Sequence, residues 1–369
     1  MKILYDHQIF SLQNFGWISR YFCEIYKWLN KIWQDVNFST KYSNNFYIQQ
    51  TKKQNIKPFL SKINFKWKHI LDFFVNKYFS IKKLKWWDFD LFHPTFFHPY
   101  FLRYIWEKKY VITIHDMLHE IFPWKKRFLD KSKEYWKLIA EKSQRIIAVS
   151  ENTKNDIIKY YWINPEKIDV IYHWSSFVFH EWEVIDKKYK LPEKYILFVW
   201  HRSWYKNFDK FFESIIPLLK ADKELHLVCT GWNSFDENEL KNFNKSWLKN
   251  QIKHFFVDDE NLKFFYKNAQ IFVFPSLYEW FWIPILEAFS AQVPVIISKS
   301  SCFPEIAQNG ALYFDPNDKK DIYNQIKKVL ESQNLRKELI LKWNERLKKF
   351  SWEISAKKTL ETYKKAIQN

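Results

Sequence analysis

Glycine is almost missing: the chain of 369 residues has 3, where average usage of roughly 7% would give about 26. Cysteine is equally scarce. Cys23, Cys229 and Cys302 form an odd, scattered set with neither a disulfide framework nor metal-ligand spacing. No run of about 20 uninterrupted apolar residues occurs, which argues against a spanning helix. The most apolar stretch, 271–297, contains Glu279, Glu287 and three prolines. The first ten residues include Asp6 and no signal-type apolar core. A reducing cytoplasm is the expected compartment.

Tryptophan is what the chain has in excess, with 20 residues. Their positions are informative. Trp162 follows an amphipathic run that begins near Glu151, and Pro165 stands three residues on. A helix stop of this kind calls for a left-handed residue, usually glycine. Trp17 follows Gly16, Trp232 follows Gly231, and Trp174 follows His173 at a strand end. These are turn positions with glycine chemistry, where a Cβ is unwelcome. A UGA codon assigned to glycine but translated as tryptophan would leave this pattern, and the wealth of Lys, Phe, Ile, Tyr and Asn fits the AT-rich gene in which such reassignment is expected. Trp352, at a helix start, is read as a true tryptophan. The competing reading is a genuinely tryptophan-rich protein with sugar-stacking platforms.

Basic residues number 59 against 41 acidic, a formal net charge of +18. This is compatible with compositional drift toward lysine, with polyphosphate ligands, or with peripheral contact at an anionic membrane face. No recognisable nucleic-acid module is present, so no nucleic-acid partner is expected. The densest basic stretch, 52–85, interleaves Lys with Phe, Ile and Leu. It reads as a solvated amphipathic helix or as a membrane-surface element.

Short apolar strands alternate with helical patterns, which predicts an α/β protein with parallel sheets. Strands are expected at 2–6, 89–93, 110–115, 145–150 and 168–173, then at 195–200, 225–230, 253–257, 271–275, 293–298 and 311–314. Helices are expected at 17–30, 151–161, 207–220, 260–268 and 283–291. The charged run 180–192 is the natural linker. The expected organisation is two α/β, Rossmann-like domains at 1–182 and 183–350, and a terminal helix at 351–369 returning to the first domain.

Two segments carry chemistry. In Glu279-Trp280-Phe281-Trp282-Ile283-Pro284, with Glu287 beyond, two carboxylates flank a loop that enters a helix. With glycine at 280 and 282 that helix start offers free N–H groups to a phosphate or a sugar oxygen. A surface Glu plus a capping Glu is the plainer reading. In Trp200-His201-Arg202-Ser203-Trp204-Tyr205-Lys206-Asn207 a strand end passes into a helix. Arg202 offers a fork and Lys206 a mobile point charge for phosphate oxygens, unless the loop is merely basic and solvated. Asp88 and Asp90 have the Asp-x-Asp form of metal-dependent transferases, but precede a strand of the first domain; a structural role is expected, and no metal site is assigned.

Taken together, these loops resemble those of group 1, family 4 glycosyltransferases of the two-Rossmann (GT-B) architecture, whose two domains face each other across a cleft. The resemblance extends to Phe15-Gly16-Trp17-Ile18-Ser19-Arg20-Tyr21, His93-Pro94-Thr95, Thr113-Ile114-His115-Asp116, Ile147-Ala148-Val149-Ser150, His173-Trp174, Phe303-Pro304-Glu305 and Phe350-Ser351-Trp352-Glu353. The main departures are tryptophans where the family has glycine. The resemblance implies retaining transfer of a hexose, of mannose or glucose type, from a nucleotide-diphosphate sugar to a glycan or lipid-linked acceptor in surface polysaccharide synthesis, without a resident cofactor. It implies that Arg202 and Lys206 stabilise the departing diphosphate, Glu279 contacts the donor sugar, Glu287 binds the ribose, and His115 positions the sugar. Gly16, Trp17, Trp200, Phe281, Trp282 and Ile283 would bring backbone close to the donor, and 257–262 would hold the base. Truly encoded tryptophans would instead favour a catalytically degenerate binding protein. A basic, aromatic nucleic-acid binder is a further alternative.

Overall fold

The computed structural model describes residues 1–51, 55–60, 63, 65–122, 132–174, 189–231, 233–279 and 283–368. The chain divides into two units. Met1–His173 with Ser351–Asn369 form one, and Trp174–Phe350 the other. The junction expected at 182–183 lies outside the described residues.

The first unit has six strands: β1 (Lys2–Tyr5), β2 (Asp35–Phe38), β3 (Leu91–His93), β4 (Lys109–Ile114), β5 (Arg145–Ala148) and β6 (Ile168–Val170). All pair in parallel, in the order β2-β1-β3-β4-β5-β6. The second has β7 (Lys194–Val199), β8 (Leu225–Thr230), β9 (Ile252–Phe255), β10 (Ile271–Phe274), β11 (Val295–Ser298) and β12 (Leu312–Phe314). These are also all parallel, in the order β12-β11-β10-β7-β8-β9. Strands buried on both faces explain the unbroken apolar runs of β10 and β11. In the second unit Ile196, Leu227 and Val273 pack with Phe211, Ile215 and Leu219 of the Phe208–Ala221 helix. In the first, Ile112, Ile146 and Ala148 pack with Ile139, Ala140 and Ile157.

The expected strands are found, mostly shorter at their carboxyl ends. One strand was missed. β2 (Asp-Val-Asn-Phe) is an edge strand with two polar residues, and has too little apolar alternation to stand out. The final helix, Trp352–Gln368, packs on the first unit. Its Tyr363 hydroxyl bonds the Tyr5 hydroxyl at 2.9 Å and His93 Nδ1 at 2.7 Å, and Ser355 Oγ donates to the Tyr172 carbonyl at 2.6 Å.

Tryptophan occupies two kinds of position. Trp343 and Trp352 are buried. By contrast Trp33, Trp106, Trp162 and Trp247 adopt φ of 62°, 55°, 61° and 62°, and stand 93%, 83%, 86% and 90% exposed. Trp162 and Trp247 close helices in the left-handed conformation, where a Cβ is strained and glycine is preferred. Trp200 has φ 103°.

Candidate active site

In an open parallel sheet, ligands bind beyond the carboxyl ends of the strands, where the order reverses direction. In the second unit that point lies between β7 and β10. The loops leaving these two strands are the Arg202–Lys206 and Glu279 segments. Lys206 Nζ meets Glu279 Oε1 at 2.5 Å across 73 residues of sequence, and both side chains are buried. Ser276 Oγ donates to the same oxygen at 2.6 Å. Ser301 Oγ and Cys302 Sγ donate to the Glu279 carbonyl at 2.5 and 3.2 Å. Leu277 N donates to the Tyr205 carbonyl at 2.8 Å, tying the two loops together. The Lys206 ammonium also lies 5.0 Å from the Phe274 ring centroid and 5.1 Å from that of Tyr205. Burial pulls the Lys206 amine down and pushes the Glu279 carboxyl up, while their mutual attraction opposes both shifts. The result is a cation held ready in a low-dielectric setting, with a carboxylate that can exchange it for a hydroxyl.

Arg202 is placed differently. Its Nε donates to Glu239 Oε1 at 2.6 Å, and its Nη2 to Glu239 Oε2 at 3.3 Å and to the carbonyls of Asn233 and Ser234 at 2.9 and 2.8 Å. Glu239 completes the capping box of the Glu237–Ser246 helix. Arg202 Nη1 is buried without a hydrogen-bond partner among the described residues. His201 is lowered to about 4 by burial and by the neighbouring Lys206 and Arg202. Trp200 donates its N–H to the Thr230 carbonyl at 2.9 Å. A Cβ at Gly231 would come within 2.8 Å of the Trp200 carbonyl oxygen, and Gly231 has φ 148°, so the crossing of these strand ends requires glycine at 231.

Glu287, buried in the Ile283–Ser290 helix, accepts from the Tyr266 hydroxyl at 3.0 Å. Ile283 is fully buried at the start of that helix. Phe281 and Trp282 lie outside the described residues. Within 257–262, Asp258 caps the Asp259–Lys267 helix through its side chain.

The first unit reverses between β1 and β3. Here the buried Asp6 carboxylate accepts from Thr95 N at 2.8 Å, Thr95 Oγ1 at 2.7 Å, Gln8 Nε2 at 2.7 Å and the Tyr100 hydroxyl at 3.1 Å. Sequence reasoning missed this group. Asp6 directly after the first strand was the available signal. His115, just past β4, is buried with Nδ1 3.4 Å from His173 Nε2. Burial lowers it to about 3, so it is neutral at physiological pH. Gly16 caps the Trp17–Lys31 helix with φ 165°, an extended value, and Arg20 covers the Trp17 ring at 4.8 Å. Asp88 pairs with Lys2 Nζ, and Asp90 accepts from Lys2 N, both at 2.7 Å, a structural tie at the foot of β1.

Two family models match the chain: Glycosyltransferase Family 4 over residues 38–174 and Glycosyl transferases group 1 over 181–346. The O-antigen chain mannosyltransferase RfbU of Salmonella typhimurium is 30% identical over 222 residues, 59% of this chain and 60% of that protein. The O-antigen chain mannosyltransferase B of Escherichia coli is 26% identical over 295 residues, 75% of this chain and 74% of that one. The structure of Anabaena HepE in complex with UDP and glucose covers 99% of each chain with a TM-score of 0.71 at 15% identity. Because the two models between them account for both α/β units, the chain belongs to the group 1, family 4 glycosyltransferases of GT-B fold.

Proposed function

We propose that the chain is a retaining glycosyltransferase that moves a hexose, of mannose or glucose type, from a nucleotide-diphosphate sugar to a glycan or lipid-linked acceptor in surface polysaccharide synthesis. The observation that supports this most is the buried Lys206–Glu279 pair at the reversal point of the second sheet. As the glycosidic bond to the diphosphate breaks, negative charge gathers on the leaving group. A preformed cation in a dry site stabilises that charge without reorganising. Lys206 takes this role, with Arg202 Nη1 as a second donor. Glu279, released from Lys206, accepts from a donor-sugar hydroxyl. Glu287 and Tyr266 hold the ribose hydroxyls. His115 positions the sugar through a neutral hydrogen bond, and Gly16 and Trp17 belong to the acceptor-side loop. The named activities of the two mannosyltransferases support mannose and a polysaccharide product; the HepE complex supports a UDP-glucose type of donor. The charge is met by side chains, so activity in excess EDTA is expected to be unchanged.

The proposal includes glycine at 200, 204, 280 and 282 in the chain that the native host makes. Trp200 at φ 103° supports this, since an indole there crowds backbone that must approach a phosphate. UGA codons at these positions are expected. UGG codons would turn the reading to a binding protein without turnover.

The test is a glycine-restored chain assayed against UDP- and GDP-hexoses, with the product's anomeric configuration read by NMR. Retained configuration is expected; inversion would overturn the mechanism. Donor binding in thermal shift with no product from any acceptor would replace the enzyme with a binding module.

A further inference from the structure

The helix Lys68–Trp86 of the first unit buries mainly polar side chains. Its buried stripe is polar: Asp72, Asn76 and Ser80, with Leu84 last. Asn76 Oδ1 accepts from the backbone of Lys41 and Tyr42, both at 3.0 Å, and its Nδ2 donates to the Tyr42 carbonyl at 2.8 Å. Ser80 Oγ meets the hydroxyls of Ser39 at 2.7 Å and Tyr100 at 2.6 Å. The outward stripe, at the i, i+3 and i+7 spacing of one helical face, is Leu71, Phe74 and Tyr78, at 45%, 60% and 56% exposure. Hydrogen bonds dominate this buried stripe, while Leu84 and Ile81 join the apolar core and Phe73 packs on His7; Leu71, Phe74 and Tyr78 are left facing outward.

The surroundings repeat this pattern. Eight of the twenty-one exposed large hydrophobic side chains among the described residues fall within 60–86. The charge there is of one sign. In 52–87 Asp72 is the only acidic residue, and it faces inward. Lys66, Lys82 and Lys85 are exposed and form no ion pair with a carboxylate among the described residues. A cavity of about 790 Å³ opens beside the start of the helix, lined by Lys66, Lys68, His69 and Asp72 with Ser11 and Asn44.

We infer that this face docks on an anionic lipid bilayer, with Leu71, Phe74 and Tyr78 entering the acyl boundary and Lys66, Lys82 and Lys85 meeting lipid phosphates. Charge complementarity selects this occupant. An apolar stripe flanked only by cations matches a surface that is apolar within and anionic at its rim, whereas two copies of this face would set like charges against each other. No tryptophan is needed for the argument. The inference concerns the first unit alone and stands independently of the donor chemistry.

The experiment is co-sedimentation of the full chain with vesicles of equal parts phosphatidylglycerol and phosphatidylcholine, or of phosphatidylcholine alone, at 50 and 500 mM salt. Binding to the anionic vesicles at low salt, weakened at high salt, is expected. The double variant Lys82→Gln/Lys85→Gln is expected to bind about twenty-five-fold more weakly, from a contribution of about fivefold per lysine. Leu71→Ser/Phe74→Ser is expected to abolish binding while leaving cooperative thermal unfolding of the chain intact, which reports that the variant has folded. Equal binding to both vesicle types, unchanged binding by either variant, or a Phe74-dependent dimer in sedimentation without lipid binding would each overturn the inference.

Discussion

Each of the two sheets reverses direction beside its first strand, yet the two reversal points are closed by opposite chemistry. Between β7 and β10 stands a buried ion pair, Lys206–Glu279. Between β1 and β3 stands one buried carboxylate, Asp6, satisfied by five donors from Thr95, Gln8 and Tyr100. A cation that is only paired can trade its partner for a substrate's charge. A carboxylate whose hydrogen bonds are all spent within the fold has nothing left to trade. On the proposed function, chemistry belongs to the second unit's reversal point and stability to the first's.

Substitution at each point should therefore move different quantities. Lys206→Ala should lower kcat about 10²- to 10³-fold, as expected for removing one transition-state donor, in an assay of the glycine-restored enzyme. Asp6→Ala should cost about 3 kcal/mol in urea unfolding, because buried donors lose their acceptor, and should leave kcat of the folded fraction within about twofold. If Lys206→Ala changed only stability, or Asp6→Ala only turnover, the contrast would collapse.

A gentler probe uses His115. Burial lowers it to about 3 from the usual 6.5, so the unfolded chain binds its proton between those values and the folded chain does not. That group's contribution is fully present above pH 6.5 and is lost as pH falls toward 3. His115→Asn should make the stability curve less steep on acidification by about 1.4 kcal/mol per pH unit in that window. An unchanged slope, with an NMR titration of the ring near 6.5, would remove His115 from the buried set.

The smallest effect lies outside both points. Trp247 has φ 62° and is 90% exposed, so Trp247→Gly relieves left-handed strain of about 1 kcal/mol. A rise in Tm of about 2–4 °C is expected from calorimetry. The buried Trp343, stacked on Phe289 with ring centroids 3.2 Å apart, should instead lose about 3–5 kcal/mol on truncation to Ala.

Most of the strand and helix pattern was legible because it rests on local periodicity and caps. Ser150 accepts from Thr153 N at the start of the Glu151–Tyr161 helix, the capping role that serine favours at such a position. The two site loops were legible because charged residues follow apolar strands directly. Arg202 was not legible in full, since its partner Glu239 sits 37 residues on, in a helix cap that looks self-contained. The Lys68–Trp86 helix lies in the stretch read as a solvated amphipathic helix or a membrane-surface element; that it buries Asn76 and Ser80 was not legible, because their partners lie on distant segments.

Composition and short-range pattern were enough to establish an α/β chain, the loops that carry its charges, and the tryptophans that stand where a turn calls for glycine. Those properties follow from steric and hydrogen-bonding rules acting over a few residues. Which strands lie side by side, and hence that Lys206 meets Glu279 and that Asp6 meets Thr95, came from the folded chain. Parallel pairing joins segments tens of residues apart, and no local signal specifies it.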